Sequence, residues 1–429
     1  MDLASPPRMR QALCRAGLAL LLLAAAAGCT SFRGHGVRTR LEAVPPVTDP
    51  QFARSLGALL DAPVVAANRV TSLVNGEQFF PAMLEAIRGA RESITLESYI
   101  YWSDQVGSEF TEALTAKAQA GVKVRLLLDW IGSRHLKGRD LDALREAGVA
   151  VRLFSRFSPL HLGRLNHRDH RKILVVDGTV GFIGGAGVGD VWRADVDAPE
   201  PWRDAFFQVE GPVVAQLQAI FAQNWLKVTG QALTGPEHFP ELVPAGDVAA
   251  QAFAGDPRAG NDRVRLMYLM AFASARRSIR LSMAYFIPCD LTLQELIAAC
   301  ERGVAVEIIL PGKDMDSPPV RPASRAKWGE MLKAGARIYE YQPSMYHCKG
   351  LIVDEAWVSV GSANLDSRSF RYNDEANLNV FSSEFAADQS RVFEADKARS
   401  REVSYDEWRR RSFWKRLMEW MTAPFGPLL

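Results

Sequence analysis

Short apolar segments alternate along the chain with longer segments of helical periodicity. Four of the short runs are β-rich and apolar at consecutive positions, namely 124–128, 173–176, 306–310 and 351–353. Helical spacing of apolar residues is clear at Phe79, Phe80, Met83, Leu84 and Ile87, at Phe110 and Leu114, and again at Leu291, Leu293, Leu296 and Ile297. Strands that are apolar on both faces need cover on both faces. The pattern therefore predicts an α/β fold in which helices flank a sheet on each side.

The same pattern occurs twice. Segment 90–94 (ARESI) is matched by 275–279 (ARRSI), and segment 121–128 is matched by 303–310. A repeat of this length indicates a duplicated domain rather than a solenoid. We expect two pseudo-symmetric α/β sandwich halves, at residues 69–240 and 241–405, each a mixed sheet flanked by helices.

The charge and the cysteine content argue against a general nucleic-acid binder and against a disulfide-stabilised scaffold. The chain has 429 residues, and 51 Lys and Arg against 49 Asp and Glu give a net charge of +2. This small excess lies in residues 1–28, so the rest of the chain is neutral and lacks the basic surplus of a general nucleic-acid binder. Five cysteines are too few for a disulfide scaffold.

The N-terminus has the pattern of a targeting segment. Arg8, Arg10 and Arg15 precede an apolar run at 16–27, which is shorter than the ~20 residues of a membrane-spanning helix. Small residues before Cys29 resemble a bacterial lipoprotein processing site, although Ala26 stands where such sites usually have Leu. We expect a lipoprotein signal peptide over 1–28, with an ordinary signal peptide or an uncleaved anchor as alternatives. Residues 29–68, rich in proline, are predicted to be a tether and lead-in.

These features predict a location. A lipidated Cys29 would anchor the protein to a membrane of the bacterial cell envelope, facing the periplasm. Such an anchor suits an enzyme whose substrate is itself in a membrane.

Candidate chemistry lies in a motif that the duplication repeats. His170, Lys172 and Asp177 have the form His-x-Lys-x4-Asp, and His347, Lys349 and Asp354 have the same form in the second half. Side chains two apart on a strand point to the same side, so each His and Lys should project together. If the halves pack about a pseudo-twofold axis, two imidazoles and two ammoniums meet in one pocket at the interface. That set can bind a phosphate, attack phosphorus and protonate a leaving oxygen.

On these motifs the chain resembles the phospholipase D superfamily, and within it the bacterial cardiolipin synthase branch, from about residue 69 to 405. The second half continues with Gly361-Ser362-Ala363-Asn364, which resembles the family's Gly-Ser-x-Asn segment. The resemblance implies that Ser362 and Asn364 lie near the phosphate. In the first half Gly187 stands where many relatives have Asn, so we expect backbone N–H groups of the run Gly184–Gly187, including Gly185, to help bind the phosphate instead.

The resemblance also implies a ping-pong mechanism without metal or cofactor. His170 would be the nucleophile and His347 the general acid and base, although the sequence itself is symmetric between the two. Asp204 and Glu375 would each orient one histidine. Asp177 and Asp354 complete the two catalytic motifs, and we expect them to anchor the loops after the strands.

The implied substrate is a phospholipid. We expect phosphatidyl transfer between phosphatidylglycerol molecules, with hydrolysis to phosphatidic acid as the main alternative and a metal-independent nuclease as a weaker one. No nucleic acid and no obligatory protein partner are expected, and a monomer can build the whole site.

The tail at 406–429 combines basic residues with tryptophans, which predicts either contact with the membrane surface or a helix docked on the body.

Overall fold

The structure, a computed structural model, describes residues 41, 43–155, 166–194, 200–257, 260 and 262–423. The predicted signal peptide at 1–28 and the predicted lipidation site Cys29 lie outside the described residues. Within the described part of the chain, no helix combines the length and hydropathy needed to cross a bilayer. The described residues from Ala43 onwards belong to one compact unit.

Strands from the whole length of this unit pair into one long mixed sheet. The strands are β1 Val65–Val74, β2 Ser93–Ser98, β3 Lys123–Asp129, β4 Ala150–Phe154, β5 Arg168–Asp169, β6 Ile173–Val176, β7 Val180–Gly184, β8 Ala205–Glu210, β9 Val248–Gly255, β10 Ser278–Met283, β11 Phe286–Ile287, β12 Ala305–Pro311, β13 Arg337–Tyr341, β14 Lys349–Val353, β15 Trp357–Gly361, β16 Leu365–Asp366, β17 Asn373–Phe381 and β18 Ser400–Val403. Their order in the sheet is β18-β13-β12-β10-β14-β15-β17-β9-β1-β8-β7-β6-β2-β3-β4, while β11 pairs with β16 separately. The four runs predicted as strands are confirmed as β3, β6, β12 and β14.

The sheet has the same topology on either side of its centre. In the first half β2, β3 and β4 are parallel, and β6, β7, β8 and β1 follow in antiparallel order. In the second half β10, β12 and β13 are parallel, and β14, β15, β17 and β9 follow in antiparallel order. The halves join where β1 pairs with β9 across a bulge. The predicted α/β class with two pseudo-symmetric halves is confirmed, and the shared sheet makes the halves one continuous body.

Helices cover the sheet as the apolar pattern requires. They are α1 Pro50–Leu59, α2 Gly76–Gly89, α3 Gln105–Gln119, α4 Gly138–Glu146, α5 Val214–Thr229, α6 Arg263–Ser274, α7 Asp290–Glu301, α8 Val320–Arg325, α9 Trp328–Lys333, α10 Ser367–Arg371, α11 Ser383–Ala398, α12 Tyr405–Arg409 and α13 Phe413–Thr422. The predicted apolar stripe of α2 is buried, and it packs with α3 in the core of the first half.

Part of the predicted lead-in belongs to the folded body. Residues 50–59 form α1, which begins after Asp49, whose side chain accepts a hydrogen bond from Gln51 N. Phe52 of this helix is fully buried and packs edge-on against Trp357 with ring centroids 6.0 Å apart. Prolines 45, 46 and 50 suggested a tether, but Pro50 occupies the first turn of a helix, where a missing N–H costs nothing.

Candidate active site

Both histidines of the repeated motif line one cavity of about 280 Å³. Its walls also contain side chains from loops and strand ends of both halves. They are Tyr99, Ile100, Arg168, Lys172, Trp192, Trp202, Tyr285, Asp316, Ser317, Val320, Asn364, Asp366, Arg368 and Asn373. The structure thus brings the two predicted imidazoles to a single site.

Each histidine is docked by its backbone onto a strand end of the opposite half. His170 N donates to Asp374 O at 2.9 Å, beside the parallel pairing of β5 with β17. His347 N donates to Arg203 O at 2.8 Å, beside a parallel bridge between Arg203 and Tyr346. Both histidines precede their strands, since β6 begins at Ile173 and β14 at Lys349. Their positions are therefore fixed by contacts across the pseudo-twofold axis.

The carboxylates that hold the imidazoles also cross over between the halves. Nδ1 of His170 lies 2.9 Å from Oε2 of Glu375 and 3.1 Å from Oε1. Nδ1 of His347 lies 2.6 Å from Oδ2 of Asp204. All four side chains are buried. With Nδ1 bonded to a carboxylate, Nε2 of each ring is the nitrogen left for chemistry.

The two carboxylates are supported differently. Glu375 accepts hydrogen bonds from the hydroxyls of Ser362 at 2.6 Å and Ser369 at 2.8 Å, and from Nδ2 of Asn373 at 3.2 Å. Burial alone would raise the pKa of Glu375, but its interactions with His170, Lys172 and Ser362 lower it overall. Ser362 therefore lies behind the histidine–carboxylate pair and outside the cavity wall, whereas its expected partner Asn364 lines the cavity.

Gly185 occupies the place equivalent to Ser362 and packs directly on Asp204. A Cβ at Gly185 would stand 2.3 Å from Oδ1 of Asp204, so only glycine leaves room for this carboxylate. The N–H of Gly185 donates to Ala205 O at 3.2 Å, and that of Gly184 donates to Lys172 O at 3.3 Å. Both N–H groups therefore donate to backbone carbonyls of the protein. Gly185 packs against Asp204 here, instead of making the phosphate contact expected from the sequence.

The two lysines lie beside their own histidines. Lys349 Nζ is 2.9 Å from Nδ1 of His347 and donates to the carbonyl of the same residue at 2.6 Å. Lys172 Nζ donates to His170 O at 2.6 Å and lies over the ring of Tyr99. Burial lowers the pKa of Lys172 to about 7, and burial likewise lowers the pKa of Lys349. Lys172 lines the cavity and Lys349 is buried beside His347, so both ammoniums favour an anion at this site.

Burial also determines the charge of the histidines. It lowers the pKa of His170 to about 4, against the opposing effect of Glu375. Burial, with Lys349 next, lowers the pKa of His347. His170 is thus neutral at neutral pH, and the lowered pKa of His347 favours its neutral form, the state in which Nε2 carries a lone pair.

The motif aspartates lie away from the cavity wall and bind backbone. The carboxylate of Asp177 accepts from the N–H groups of Arg91, Glu92 and Ser93. The carboxylate of Asp354 accepts from the equivalent N–H groups of 276–278. These contacts place them in the anchoring position expected from the sequence.

Aromatic and acidic residues around the histidines were not predicted from the sequence. The rings of Trp192 and Trp202 both lie 5.7 Å from His347, and Tyr285 lies 6.5 Å from it and donates its hydroxyl to Asp316. Trp202 stands two residues before Asp204, which was the available signal. Trp192 ends a short 3₁₀ helix at Asp190–Trp192, whereas Tyr285 and Asp316 lie in loops, and the position of all three depends on the tertiary fold.

Asp366 is a further acid of the cavity that the sequence did not single out. Burial raises its pKa to about 7. Its Oδ1 accepts from Ser369 N at 2.7 Å at the start of α10, while Oδ2 is buried with no hydrogen-bond partner among the described residues. The cavity therefore holds a carboxyl group that changes charge near neutral pH.

Sequence comparison places this geometry in a family. The family model described as "Cardiolipin synthase, PLD-like domain" matches residues 83–225 and 268–397, one segment in each half. A cardiolipin synthase 1 of Bacillus anthracis is 37% identical over 375 residues, which are 85% of this chain and 74% of the relative. The major cardiolipin synthase of Bacillus subtilis is 36% identical over 366 residues, 84% of this chain and 76% of the relative.

Solved structures support the fold. A phosphatidylserine synthase of Haemophilus influenzae superimposes with a TM-score of 0.68 and 15% identity, covering 88% of this chain and all (100%) of that chain. A polyphosphate kinase of Porphyromonas gingivalis gives a TM-score of 0.55 at 11% identity, over 88% of this chain and 54% of that chain. The sequence matches by themselves show that the chain belongs to the cardiolipin synthase-type phosphatidyltransferases of the phospholipase D superfamily.

Proposed function

We propose that the protein transfers a phosphatidyl group between phospholipid molecules through a covalent phosphohistidine. The observation that carries this proposal is the crosswise pairing of His170 with Glu375 and of His347 with Asp204 around one cavity. The pairing leaves two Nε2 atoms to act on a single phosphorus, one as nucleophile and one as acid.

In the first step, Nε2 of His170 attacks the phosphodiester phosphorus. The P–O bond to the headgroup alcohol breaks, and His347 gives its proton to the departing oxygen. In the second step, the neutral His347 takes a proton from an incoming alcohol, whose oxygen displaces His170 from phosphorus. The low pKa of His170, about 4, supports its role as nucleophile because the ring is neutral at physiological pH. A bound phosphodiester anion would raise the pKa of His347 towards the value an acid needs.

Phosphate binding would fall to the cationic and amide side chains beside the two histidines. Lys172 and Lys349 supply positive charge to the equatorial oxygens, and a phosphate relieves the cost of burying two ammoniums. Asn364 lines the same cavity and offers its amide N–H groups. Ser362 acts one layer behind, through Glu375.

We propose phosphatidylglycerol as both donor and acceptor, with cardiolipin and glycerol as products. The support is the similarity over most of the chain to two proteins named cardiolipin synthase. A lipidated Cys29 would hold the enzyme on a membrane of the cell envelope, on its periplasmic side, next to that substrate. The site is complete in one chain, so we propose that a monomer is active.

The product profile tests the activity. Purified protein is incubated with vesicles of phosphatidylglycerol, and the lipids are separated and quantified. Cardiolipin and glycerol in equal amounts support transfer, and phosphatidic acid alone shows a hydrolase. His170→Ala and His347→Ala are expected to abolish both products.

Trapping tests the covalent step. Phosphatidylglycerol labelled in its phosphate is mixed with enzyme and quenched with alkali, which preserves phosphohistidine. Wild-type enzyme quenched during turnover should carry label on His170, and His170→Asn should carry none. Label on His347 of the wild type would exchange the roles of the two histidines, and absence of label in the wild type would remove the covalent intermediate.

A further inference from the structure

Helix α13 carries large apolar side chains that face solvent. Phe413, Trp414 and Trp420 are 65%, 71% and 75% exposed, and Met418 and Met421 are more than half exposed. At 3.6 residues per turn these five side chains fall within about half of the helix circumference. They therefore form one continuous apolar side, which we call the outer side of α13.

The helix is docked on the body by its polar side instead. Glu419 is 3% exposed and accepts two hydrogen bonds from Nε of Arg411, at 2.7 and 2.9 Å. Nε of Arg325 in α8 lies 3.8 Å from the same carboxylate. A surface helix normally turns its apolar side towards its own protein. Here the orientation is reversed, and all five side chains of the outer side are more than half exposed.

The preceding helix fixes this orientation. The ring of Trp408 in α12 packs on Gly329, where an added Cβ would come within 2.2 Å of it. Nε1 of Trp408 donates to Arg325 O at 2.8 Å, and Arg411 stacks on the same indole with its guanidinium 3.7 Å from the ring centroid. Helix α12 thus fixes the start of α13 to the body. The apolar side of α13 is therefore exposed while the helix is docked.

Positive charges border the outer side. Arg409, Arg410, Lys415 and Arg416 are exposed, and no acidic residue occurs between Trp408 and Met418. A helix with tryptophans on its apolar side and lysine or arginine beside them matches the interfacial region of an anionic bilayer, where rings sit among headgroups and cations meet lipid phosphates.

The helix also lies next to the candidate active site. α13 packs against α8, whose first residue, Val320, lines the catalytic cavity. Between the two helices runs a groove of about 260 Å³, lined by Arg321, Pro322, Arg325, Trp414, Lys415, Met418 and Glu419. Whatever surface receives α13 is thereby brought close to one wall of the cavity.

We propose that α13 lies in the surface of an anionic phospholipid bilayer with its outer side among the acyl chains, and so holds the α8 wall of the cavity at the lipid surface. The choice of a bilayer follows from the charge around the outer side. The link to lipid turnover rests on the proposed function, but the bilayer contact is measured independently of it.

Short-range quenching tests the contact directly. The full chain is reconstituted in vesicles of phosphatidylglycerol and brominated phosphatidylcholine, and tryptophan fluorescence is recorded. The outer-side variant Trp414→Phe/Trp420→Phe should lose most of the bromine quenching seen in the wild type. The control Trp225→Phe removes a buried tryptophan and should keep it. Equal quenching in the wild type and the double variant would overturn the proposal.

Activity in two lipid formats tests the consequence. Trp414→Glu/Trp420→Glu should lower turnover on phosphatidylglycerol vesicles at least tenfold and change it less than twofold in detergent micelles. The control Val243→Glu, at another exposed apolar position, should be neutral in both. Equal loss in both formats would overturn the proposal.

Two other outcomes are distinguishable. A wild type that makes no cardiolipin in either format, yet shows quenching that depends on Trp414 and Trp420, would refute the proposed function and leave the bilayer contact standing. A wild type that is dimeric and unquenched, and becomes monomeric on Trp414→Glu/Trp420→Glu, would show that a second copy covers the outer side and would overturn the bilayer contact.

Discussion

Glu375 and His170 belong to opposite halves of the sheet, yet the carboxylate of one is 2.9 Å from Nδ1 of the other. The same crossing joins Asp204 to His347. Neither half therefore contains a complete histidine–carboxylate pair. The two halves form one site because the pairing of β1 with β9 and of β5 with β17 holds them in a fixed relation.

Removing the charge of either carboxylate should reduce catalysis far more than substrate binding. Glu375→Gln and Asp204→Asn keep the shape but no longer fix the imidazole tautomer or stabilise its charged form. We expect kcat to fall about 100-fold or more in each, with KM changed little. Steady-state kinetics on phosphatidylglycerol checks this, with Glu384→Gln on an exposed turn of α11 as the control. A selective rise in KM would assign these carboxylates to substrate binding.

The hydroxyl of Ser362, which lies behind Glu375, should affect catalysis by holding the Glu375 carboxylate in place. Ser362→Ala removes a charge-assisted hydrogen bond of 2.6 Å and leaves the carboxylate of Glu375 to the support of Ser369 and Asn373. Such bonds contribute about 1.5–3 kcal/mol, so kcat should fall about 10- to 100-fold while KM stays near the wild-type value. Ser390→Ala, which removes a hydroxyl distant from the site that accepts from Arg280, is the matched control. If Ser362 instead bound the phosphate directly, the variant would raise KM.

Gly185 should tolerate no side chain. In Gly185→Ala the new methyl would meet Oδ1 of Asp204 at 2.3 Å and force the carboxylate away from His347. We expect activity to drop at least tenfold and the melting temperature to fall. Gly89→Ala, where nothing lies within 4 Å of an added Cβ, should match the wild type in both. Full activity in Gly185→Ala would show that the position of Asp204 is not critical.

The two halves, the strands and the paired motifs could be predicted because the local sequence specifies each of them. Apolar runs specify strands such as β3, and the repeated His-x-Lys pattern identifies Lys172 and Lys349 beside their histidines. The crossing of Glu375 to His170 could not be read from spacing, since it depends on how two distant segments dock.

Two other features were hidden for the same reason. Gly185 and Ser362 occupy equivalent positions in the two repeats, but only the structure shows that one packs on Asp204 while the other donates to Glu375. The amphipathic pattern of α13 was visible in sequence. The side of α13 that docks on the body was not visible in the sequence, because the pairing of the buried Glu419 with Arg411 determines it.

Anion binding should weaken as pH rises through neutrality. Lys172, with a pKa of about 7, loses its positive charge, and Asp366, with a pKa also about 7, gains a negative one. Sulfate keeps its charge over this range, so its affinity reports on the protein. We expect the dissociation constant, measured by calorimetry, to rise at least tenfold between pH 6.5 and 8.5.

Single variants separate the two contributions. Lys172→Arg retains the charge at high pH, and Asp366→Asn stays neutral while its amide oxygen can still cap α10. Each should make the pH dependence shallower, and the second should bind sulfate more tightly than the wild type at pH 8.5. A pH dependence that is unchanged in both variants would place the titrating group elsewhere.

The motif aspartates should contribute to folding and not to the chemical step. Asp177 and Asp354 each accept several backbone N–H groups from the segment that starts the neighbouring strand. Asp177→Ala leaves those donors without their carboxylate, which should lower the free energy of unfolding by about 1.5–3 kcal/mol. At a temperature where the variant is fully folded, kcat should remain within twofold of the wild type. Asp388→Ala, which breaks only an exposed pair with Arg391, should cost under about 1 kcal/mol by the same denaturant titration. A large loss of kcat with unchanged stability would instead bring Asp177 into catalysis, and its repeat partner Asp354 would need the same test.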